Sequence, residues 1–412
     1  MKTFAIATLG CKVNSVESDR YISLMKQADM VQVDFKDNAD LYIINTCAVT
    51  HAAAAKSRQK IASAIKTNPD AKIVVVGCSL AADFDNIKKF KEIDTMIFQN
   101  DKERFDEIVL KQKMLRSLSE KGQSKTRAFM KIQDGCEQFC SFCIIPIARG
   151  PEVSIDIDEL EMTARQLVAA KHKEIVLTGI HIGKFGTKSN SSLLQLLKRL
   201  VMIDELQRIR ISSIEVTELH SDLIDFIASQ PKIAKHLHIP LQSGNDRVLF
   251  DMNRPYTTAY FQEKIELIRQ QIPDVVISTD VIAGFAGETD TDFLTTQSFI
   301  DQIGFSFLHV FPYSKRENTK AASIKGHLDP TVIKERAHLL MIQSKNLKQK
   351  FFRSFLGKEV EILFEHATKD GMFGHSEHYL PVIVDDPTIE SNSIHLVKLV
   401  DIQDNVCIGI LS

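Results

Sequence analysis

Short apolar runs alternate with amphipathic stretches along most of this 412-residue chain. Near the start, KTFAIATL, LYIIN and AKIVVVG are apolar runs of strand length, rich in isoleucine and valine. Between them, SVESDRYISLMKQA and AAAAKSRQKIASAIK repeat their apolar residues at helical spacing. That alternation predicts a wound, parallel α/β sheet over residues 1–120. From residue 127 it resumes in RAFMKIQ, EIVLTG, RIRISS, HLHIP, VVISTDVIAG and FSFLHVFPY, with helical stretches between. Six βα units predict a partly open βα barrel over residues 121–356, ending in a long helix that starts near 329. From 357 the pattern changes to KEVEILFE, YLPVIVD and SIHLVKLVDI, which predict a small β-barrel over 357–412. The fold class is α/β with a β appendix.

Charge refines this picture without changing it. Hydrophobic residues make up 44% and charged residues 25%, and the net charge is −2, so no global field draws the chain to a polyanion. The charge is unevenly spread. Residues 111–127 carry six basic residues against one acid and read as an interdomain linker. The stretch 343–358 carries five basic residues and no acid. Two readings of it stay open, a solvated helix face or a strip whose Lys345, Lys348 and Lys350 contact phosphates. The tail from 357 sets three lysines against ten acids, which makes it a poor phosphate binder. No apolar run approaches the ~18 residues of a membrane span. The opening MKTFAIATLGC imitates a lipoprotein leader, but FAIATL is shorter than a signal core, so a first strand is expected there.

Seven cysteines is an odd number, and six lie in polar or glycine-flanked loops. That favours metal chemistry in a reducing compartment over disulfides. Cys136, Cys140 and Cys143 form C-x3-C-x2-C in GCEQFCSFC, directly after the first predicted barrel strand. A structural zinc site needs four ligands, yet after Cys143 the next cysteine is Cys407 and the next histidine is His172. Three thiolates on a four-iron cluster instead leave one iron open to a chelating ligand. Cys11, Cys47 and Cys78 each end an N-terminal strand, and the carboxyl ends of parallel strands share one sheet edge. They read either as core cysteines or as a second three-thiolate set. Cys407, in NVCIGIL, reads as a buried strand residue. Arg149, beside the cysteine loop, reads equally as a structural arginine or a contact to substrate phosphate.

C-x3-C-x2-C with Phe142 before its last cysteine is the signature of the radical S-adenosylmethionine enzymes. Over nearly its whole length the chain resembles one branch of them, the methylthiotransferases. GCKVN, NTC and GC, at Cys11, Cys47 and Cys78, resemble their leading domain. DGCEQFCSFCIIPIARG, LTGIHIG, RISSIE, HIPLQSGNDRVLFDMNRPYT, STDVIAGFAGET and HVFPYSKR resemble their radical domain. GHSEHYLPVIVD resembles their small TRAM barrel, which holds RNA.

The resemblance implies two [4Fe–4S] clusters, one on Cys11, Cys47 and Cys78 and a catalytic one on Cys136, Cys140 and Cys143. It implies S-adenosylmethionine held at Phe142, Gly179, Ser212, Ser213, Gln242 and Asp280. One S-adenosylmethionine would methylate a sulfur at the N-terminal cluster, and a second would yield the radical that activates adenine C2. The implied partners are a tRNA anticodon stem-loop, an electron donor such as flavodoxin or ferredoxin, and a sulfur source. No membrane is implied, and the expected location is the cytoplasm. Lys-Val-Asn after Cys11, together with FPYSKR, resembles the group acting on N6-threonylcarbamoyladenosine. Gln-Met-Asn is usual in enzymes of isopentenyladenosine, and Pro-Lys-Asn in those modifying a ribosomal-protein aspartate. A zinc-dependent RNA-binding protein is the non-enzymatic alternative. The chain departs from the family at Ala286, where proline is usual, at Asn318, where glycine is, and at His378, where asparagine is.

Overall fold

The computed structural model describes residues 2–114 and 125–412. They form two compact, discontinuous units. The first comprises Met1–Lys121, Gln133–Ser154 and Ser314–Ser323, and the second Gly122–Ile132, Ile155–Tyr313 and Ile324–Ser412. Residues 115–124 of the basic 111–127 segment lie outside the described residues.

The first unit is built on a parallel sheet of order β2-β1-β3-β4-β5, with β1 Thr3–Thr8, β2 Val31–Gln32, β3 Leu41–Thr46, β4 Lys72–Gly77 and β5 Thr95–Ile97. Helices Lys12–Gln27 and His51–Thr67 supply crossovers, the second started by Thr50, whose hydroxyl accepts from the Ala53 N–H. Both sheet faces are covered. Phe4, Tyr21, Met25, Ile43, Val76 and Phe105 pack on one face, and Ala5, Tyr42, Ile44, Ile61 and Val75 on the other. All six residues of β3 are therefore buried, which is why LYIIN reads as a continuous apolar run. The edge strands β2 and β5, of two and three residues, are too short to leave a pattern.

The second unit opens with β6 (Ala128–Lys131). The chain then re-enters the first unit, where β7 (Gln133–Asp134) pairs antiparallel with β8 (Val153–Ser154) and closes the base of the cysteine loop. The second unit continues with β9 Glu174–Thr178, β10 Arg208–Ile211, β11 His236–His238, β12 Val276–Ala283 and β13 Phe307–Pro312. These strands make two parallel sheets, β10-β9-β6 and β11-β12-β13, joined by bridges Ile209–Ile233 and Ser213–His238. The expected exit helix runs from Pro330 to Arg353, capped by Asp329 with proline in its first turn. Among the described residues no helix is long and apolar enough to cross a membrane.

The chain ends in a closed barrel of order β14-β15-β16-β18-β17, from β14 Glu359–Thr368, β15 Gly371–Ser376, β16 Pro381–Val384, β17 Ile394–Gln403 and β18 Val406–Leu411. Its core of Ile362, Phe364, Leu380, Val382, Val397 and Leu399 includes Cys407, fully buried in β18 as expected, and merges with Phe351, Phe352 and Phe355. Arg210 of β10 donates to the carbonyls of Ser376 and Glu377, and Arg208 to those of Glu361 and His375. Both arginines also bind Glu174, which is fully buried. Burial alone would raise that carboxyl, but Arg210 and then Arg208 draw it down to about 2. The Tyr379 ring is half-buried and lies among Arg127, Arg210, His236 and His375.

Candidate functional site

In the first unit, three strand ends bring Cys11, Cys47 and Cys78 to one sheet edge. Cys47 follows β3 directly and Cys78 follows β4, whereas Cys11 follows β1 after Leu9 and Gly10. Gly10 has φ 96°, and a Cβ there would sit 2.8 Å from the Cys47 Cβ and Sγ, so only glycine lets the Cys11 turn close on Cys47. Gly77, at φ 106°, does the same for Cys78, since its Cβ would fall 2.4 Å from the Thr46 carbonyl oxygen. The amide of Asn14 fixes the first turn by donating to the carbonyls of Leu9 at 2.7 Å and Thr46 at 3.0 Å. Ser57 and Ser79 donate to the Cys47 carbonyl at 3.1 and 2.8 Å. Burial pushes the Cys47 thiol up, a backbone hydrogen bond at Val49 draws it down, and the Cys78 and Cys11 thiols add to the rise.

The loop carrying Cys136, Cys140 and Cys143 is counted in the same unit, although in sequence it falls within 121–356. Its base is tight. Gly135 has φ 72°, and a Cβ there would meet the Pro151 carbonyl oxygen at 2.0 Å. The Cys136 N–H donates to Gly150 at 3.1 Å, and that of Cys143 to Cys140 at 3.0 Å. The Gln138 N–H donates to the Cys136 sulfur at 3.4 Å. All three cysteines and Phe142 are half-buried, while the Phe139 and Ile147 side chains are exposed. The Ser141 carbonyl accepts from Ala321 at 2.7 Å, which ties in the 314–323 segment. That segment holds Asn318 at φ 68°, the left-handed conformation that glycine would take, so the turn survives the departure.

Arg149, left open between two roles by the sequence, is fully buried and contacts no solvent through its side chain. It donates to Asn14 Oδ1 at 2.5 Å, to both Asp134 oxygens at 2.8 and 3.0 Å, and to Glu17 Oε1 at 3.1 Å. A phosphate contact is excluded by that burial. Lys102 completes the group, reaching the Glu17 oxygens at 3.1 and 3.0 Å.

In the second unit, Gly179 and Ser212 lie immediately past the carboxyl ends of β9 and β10. Ser213 bridges to His238, and Gln242, at φ 67°, donates from its backbone to the Asp280 carbonyl at 2.8 Å. Ser213, Gln242 and Asp280 thus lie in one neighbourhood. Asp280 Oδ1 pairs with His238 Nε2 at 2.9 Å, and His238 Nδ1 meets Ser278 Oγ at 2.9 Å. His309 sits opposite Asp280 in the β12–β13 register, its ring 5.2 Å from that of His238. Past β9 and β10, His181 and Glu218 form a buried pair at 2.5 Å, and Gly183 leaves the room that pair occupies.

Sequence reasoning missed Asn14, Glu17, Asp134, His181, Glu218, His238 and His309. The available signal was position, since each lies within a few residues of a quoted motif or strand end. The expected strip of 343–358 is not a single face. Lys348 leans over the Phe352 ring, 5.2 Å from its centre, and burial lowers its pKa, so it makes a poor phosphate contact. Lys345, Lys350 and Arg353 are exposed.

Residues 3–99 match the uncharacterized protein family UPF0004, and residues 130–300 match the radical SAM superfamily. The chain is 39% identical to threonylcarbamoyladenosine tRNA methylthiotransferase MtaB of Bacillus subtilis (strain 168), covering 93% of itself and 90% of that protein. It is 35% identical to the protein of the same name from Aquifex aeolicus (strain VF5), covering 87% of itself and 92% of that protein. With tRNA-2-methylthio-N(6)-dimethylallyladenosine synthase of Ruegeria pomeroyi (strain ATCC 700808 / DSM 15171 / DSS-3) the identity is 31%, over 97% and 96% of the two chains. Among solved structures, the radical S-adenosylmethionine methyltransferase TsrM from Kitasatospora setae, with cobalamin and a [4Fe-4S] cluster bound, aligns with a TM-score of 0.56. The identity is 12%, over 76% of this chain and 77% of that one, and the likeness is one of fold. Similarity of this order to curated relatives, along nearly the whole chain, decides membership: this protein belongs to the radical S-adenosylmethionine methylthiotransferase family.

Proposed function

We propose that this protein methylthiolates C2 of N6-threonylcarbamoyladenosine beside the tRNA anticodon, as a three-domain enzyme of the cytoplasm divided at 1–120, 121–356 and 357–412. What carries the reading is the 39% identity to a protein named for that activity over 93% of the chain. In it, Cys136, Cys140 and Cys143 hold an iron–sulfur cluster that binds S-adenosylmethionine, and Cys11, Cys47 and Cys78 hold a second cluster. The residues present fit such groups. Thiolates are the usual ligands of iron–sulfur clusters, and the Gln138 N–H aimed at the Cys136 sulfur stabilises a thiolate. Gly10 leaves the space that a side chain would fill against Cys47, and Gly77 the space against Thr46.

When bound, the two clusters and S-adenosylmethionine supply a carbon-centred radical strong enough to take the adenine C2 hydrogen and a sulfur that accepts methyl. The protein's own residues bind and orient. Phe142, Gly179, Ser212, Ser213, Gln242 and Asp280 take the coenzyme, with small groups at strand ends admitting it close to the backbone. His238 fixes the Asp280 carboxylate through its Nε2–H to one oxygen, and the other oxygen, with no hydrogen-bond partner among the described residues, is placed to accept from a ligand hydroxyl or ammonium. Exposed Phe139 and Ile147 give the cysteine loop an apolar rim that excludes water once RNA is seated. An external one-electron donor of the flavodoxin or ferredoxin kind and a sulfur source complete the cycle.

Mass spectrometry of nucleosides from tRNA of a strain lacking this protein tests the assignment. The 2-methylthio derivative of N6-threonylcarbamoyladenosine should disappear while the unmethylthiolated nucleoside accumulates. Loss of the isopentenyladenosine derivative instead would assign the other tRNA substrate.

A further inference from the structure

We propose that Arg149, carried by the Cys136 loop, is a positioning residue for the other cysteine set: it supplies the buried positive charge facing Cys11, Cys47 and Cys78. The inference rests on the reading of those three cysteines as cluster ligands.

The geometry runs through one short helix, Ile145–Arg149, that follows Cys143. Ala148 on this helix packs with Ala48 and Cys78 in a small apolar cluster, which sets the next residue at the N-terminal cysteines. The Arg149 guanidinium then meets Asn14 Oδ1 at 2.5 Å, and the Cys11 thiol donates to the same oxygen at 3.9 Å. One face of the guanidinium is taken by Asp134, two residues before Cys136, and by Glu17, two turns into the helix that Cys11 begins. One cation therefore joins the polypeptide leading into one cysteine set to the polypeptide leaving another member of the other.

Charge accounting gives this joint a consequence. Glu17 and Asp134 are balanced by Arg149 and Lys102, so the buried set is neutral before any thiol ionises. Three thiolates, or a cluster that gains an electron, add negative charge that only nearby cations offset. Interaction energy falls with distance and rises with burial, so a guanidinium with no exposed surface outweighs cations at the molecular surface. It must favour the reduced, more negative state of the adjoining site. Glu17, beside the same thiols, must oppose it. An arginine that only held the fold together would have no such sign.

The test uses the full-length Cys136→Ala/Cys140→Ala/Cys143→Ala protein, in which only the N-terminal set is left to bind iron. Its iron content is measured, and its midpoint potential is followed by paramagnetic resonance during redox titration. About four irons per chain are expected from a single cubane. Arg149→Gln should move the potential to more negative values and Glu17→Gln to more positive ones, with Arg149→Lys close to the parent. A parent protein without iron would overturn the cluster reading of Cys11, Cys47 and Cys78. A parent with iron whose potential is unmoved by both variants, or moved in the same direction, would overturn the role of Arg149. Should Arg149→Gln fail to fold, Arg149→Gln is combined with Glu17→Gln, and the double variant should have a more negative potential than Glu17→Gln alone; equal potentials would overturn the role of Arg149.

Discussion

His378 replaces the asparagine usual at its position with an imidazole, whose ordinary pKa is 6.5. It is buried, its ring lies 4.8 Å from that of Phe355, and neither ring nitrogen has a hydrogen-bond partner among the described residues. Burial first, then the charge of Lys235, lowers its pKa to about 4 from 6.5. Above 6.5 the ring is neutral in both folded and unfolded chains and contributes no pH dependence. Below it the unfolded chain takes up a proton that the folded chain refuses until about 4, so stability falls with pH across that window. The loss reaches about 3 kcal/mol at its lower end. His378→Asn should therefore flatten the melting temperature between those pH values; an unchanged slope would mean that His378 is not the group responsible. Glu174 acts lower on the scale. Its folded pKa of about 2 lies below the ordinary 4.5, so its stabilisation is complete above 4.5 and is lost as pH falls toward 2. Glu174→Gln leaves Arg208 and Arg210 buried without their counter-ion, and should cost about 3–5 kcal/mol at neutral pH by denaturant titration. A loss under 1 kcal/mol would show that the backbone carbonyls of the C-terminal barrel satisfy both arginines unaided.

At the scale of elements, the cysteine loop depends on a glycine as much as on its thiols. Gly135→Ala would drive a methyl group into the Pro151 carbonyl at a left-handed φ, which the short β7–β8 pair has no slack to absorb. The variant should lose roughly half of an eight-iron complement, the result expected of Cys136→Ala/Cys140→Ala/Cys143→Ala. A full complement in both would remove the loop from the cluster assignment. Much of this architecture was legible from residues alone. β1, β3 and β4 announced themselves because burial on both faces leaves long apolar runs, and the cysteines punctuated their ends. The two-residue pairing of β7 with β8 was not legible, because four residues carry no period. Nor was the joining of the cysteine loop to the N-terminal sheet. Asn14, Glu17 and Asp134 are single polar residues, and only the fold shows that one arginine meets all three.

For the whole molecule the open physical question is how a chain of net charge −2 grips a polyanion. The tail from 357 is strongly acidic, and the half-buried ring of Tyr379 within it already packs against Arg127, Arg210 and histidines. The helix Pro330–Arg353 offers a better surface, but not with all its cations. Residues advance by about 100° along a helix, so Lys350 and Arg353 lie about 60° apart on one side, with Lys345 about 140° from Lys350. Lys348 is turned to Phe352. Two phosphate contacts, from Lys350 and Arg353, are therefore expected where composition alone counted three lysines. Each contact contributes about 0.7–0.9 to the slope of log affinity against log salt. Lys350→Gln with Arg353→Gln should flatten that slope for tRNA by about 1.5, whereas Lys348→Gln should leave it unchanged. A slope moved by Lys348 alone would mean that the side chain leaves its aromatic neighbour when RNA arrives. A slope moved by neither would take the contacts off this helix, and the acidity of the C-terminal barrel would then send the search to the exposed lysines of the first unit.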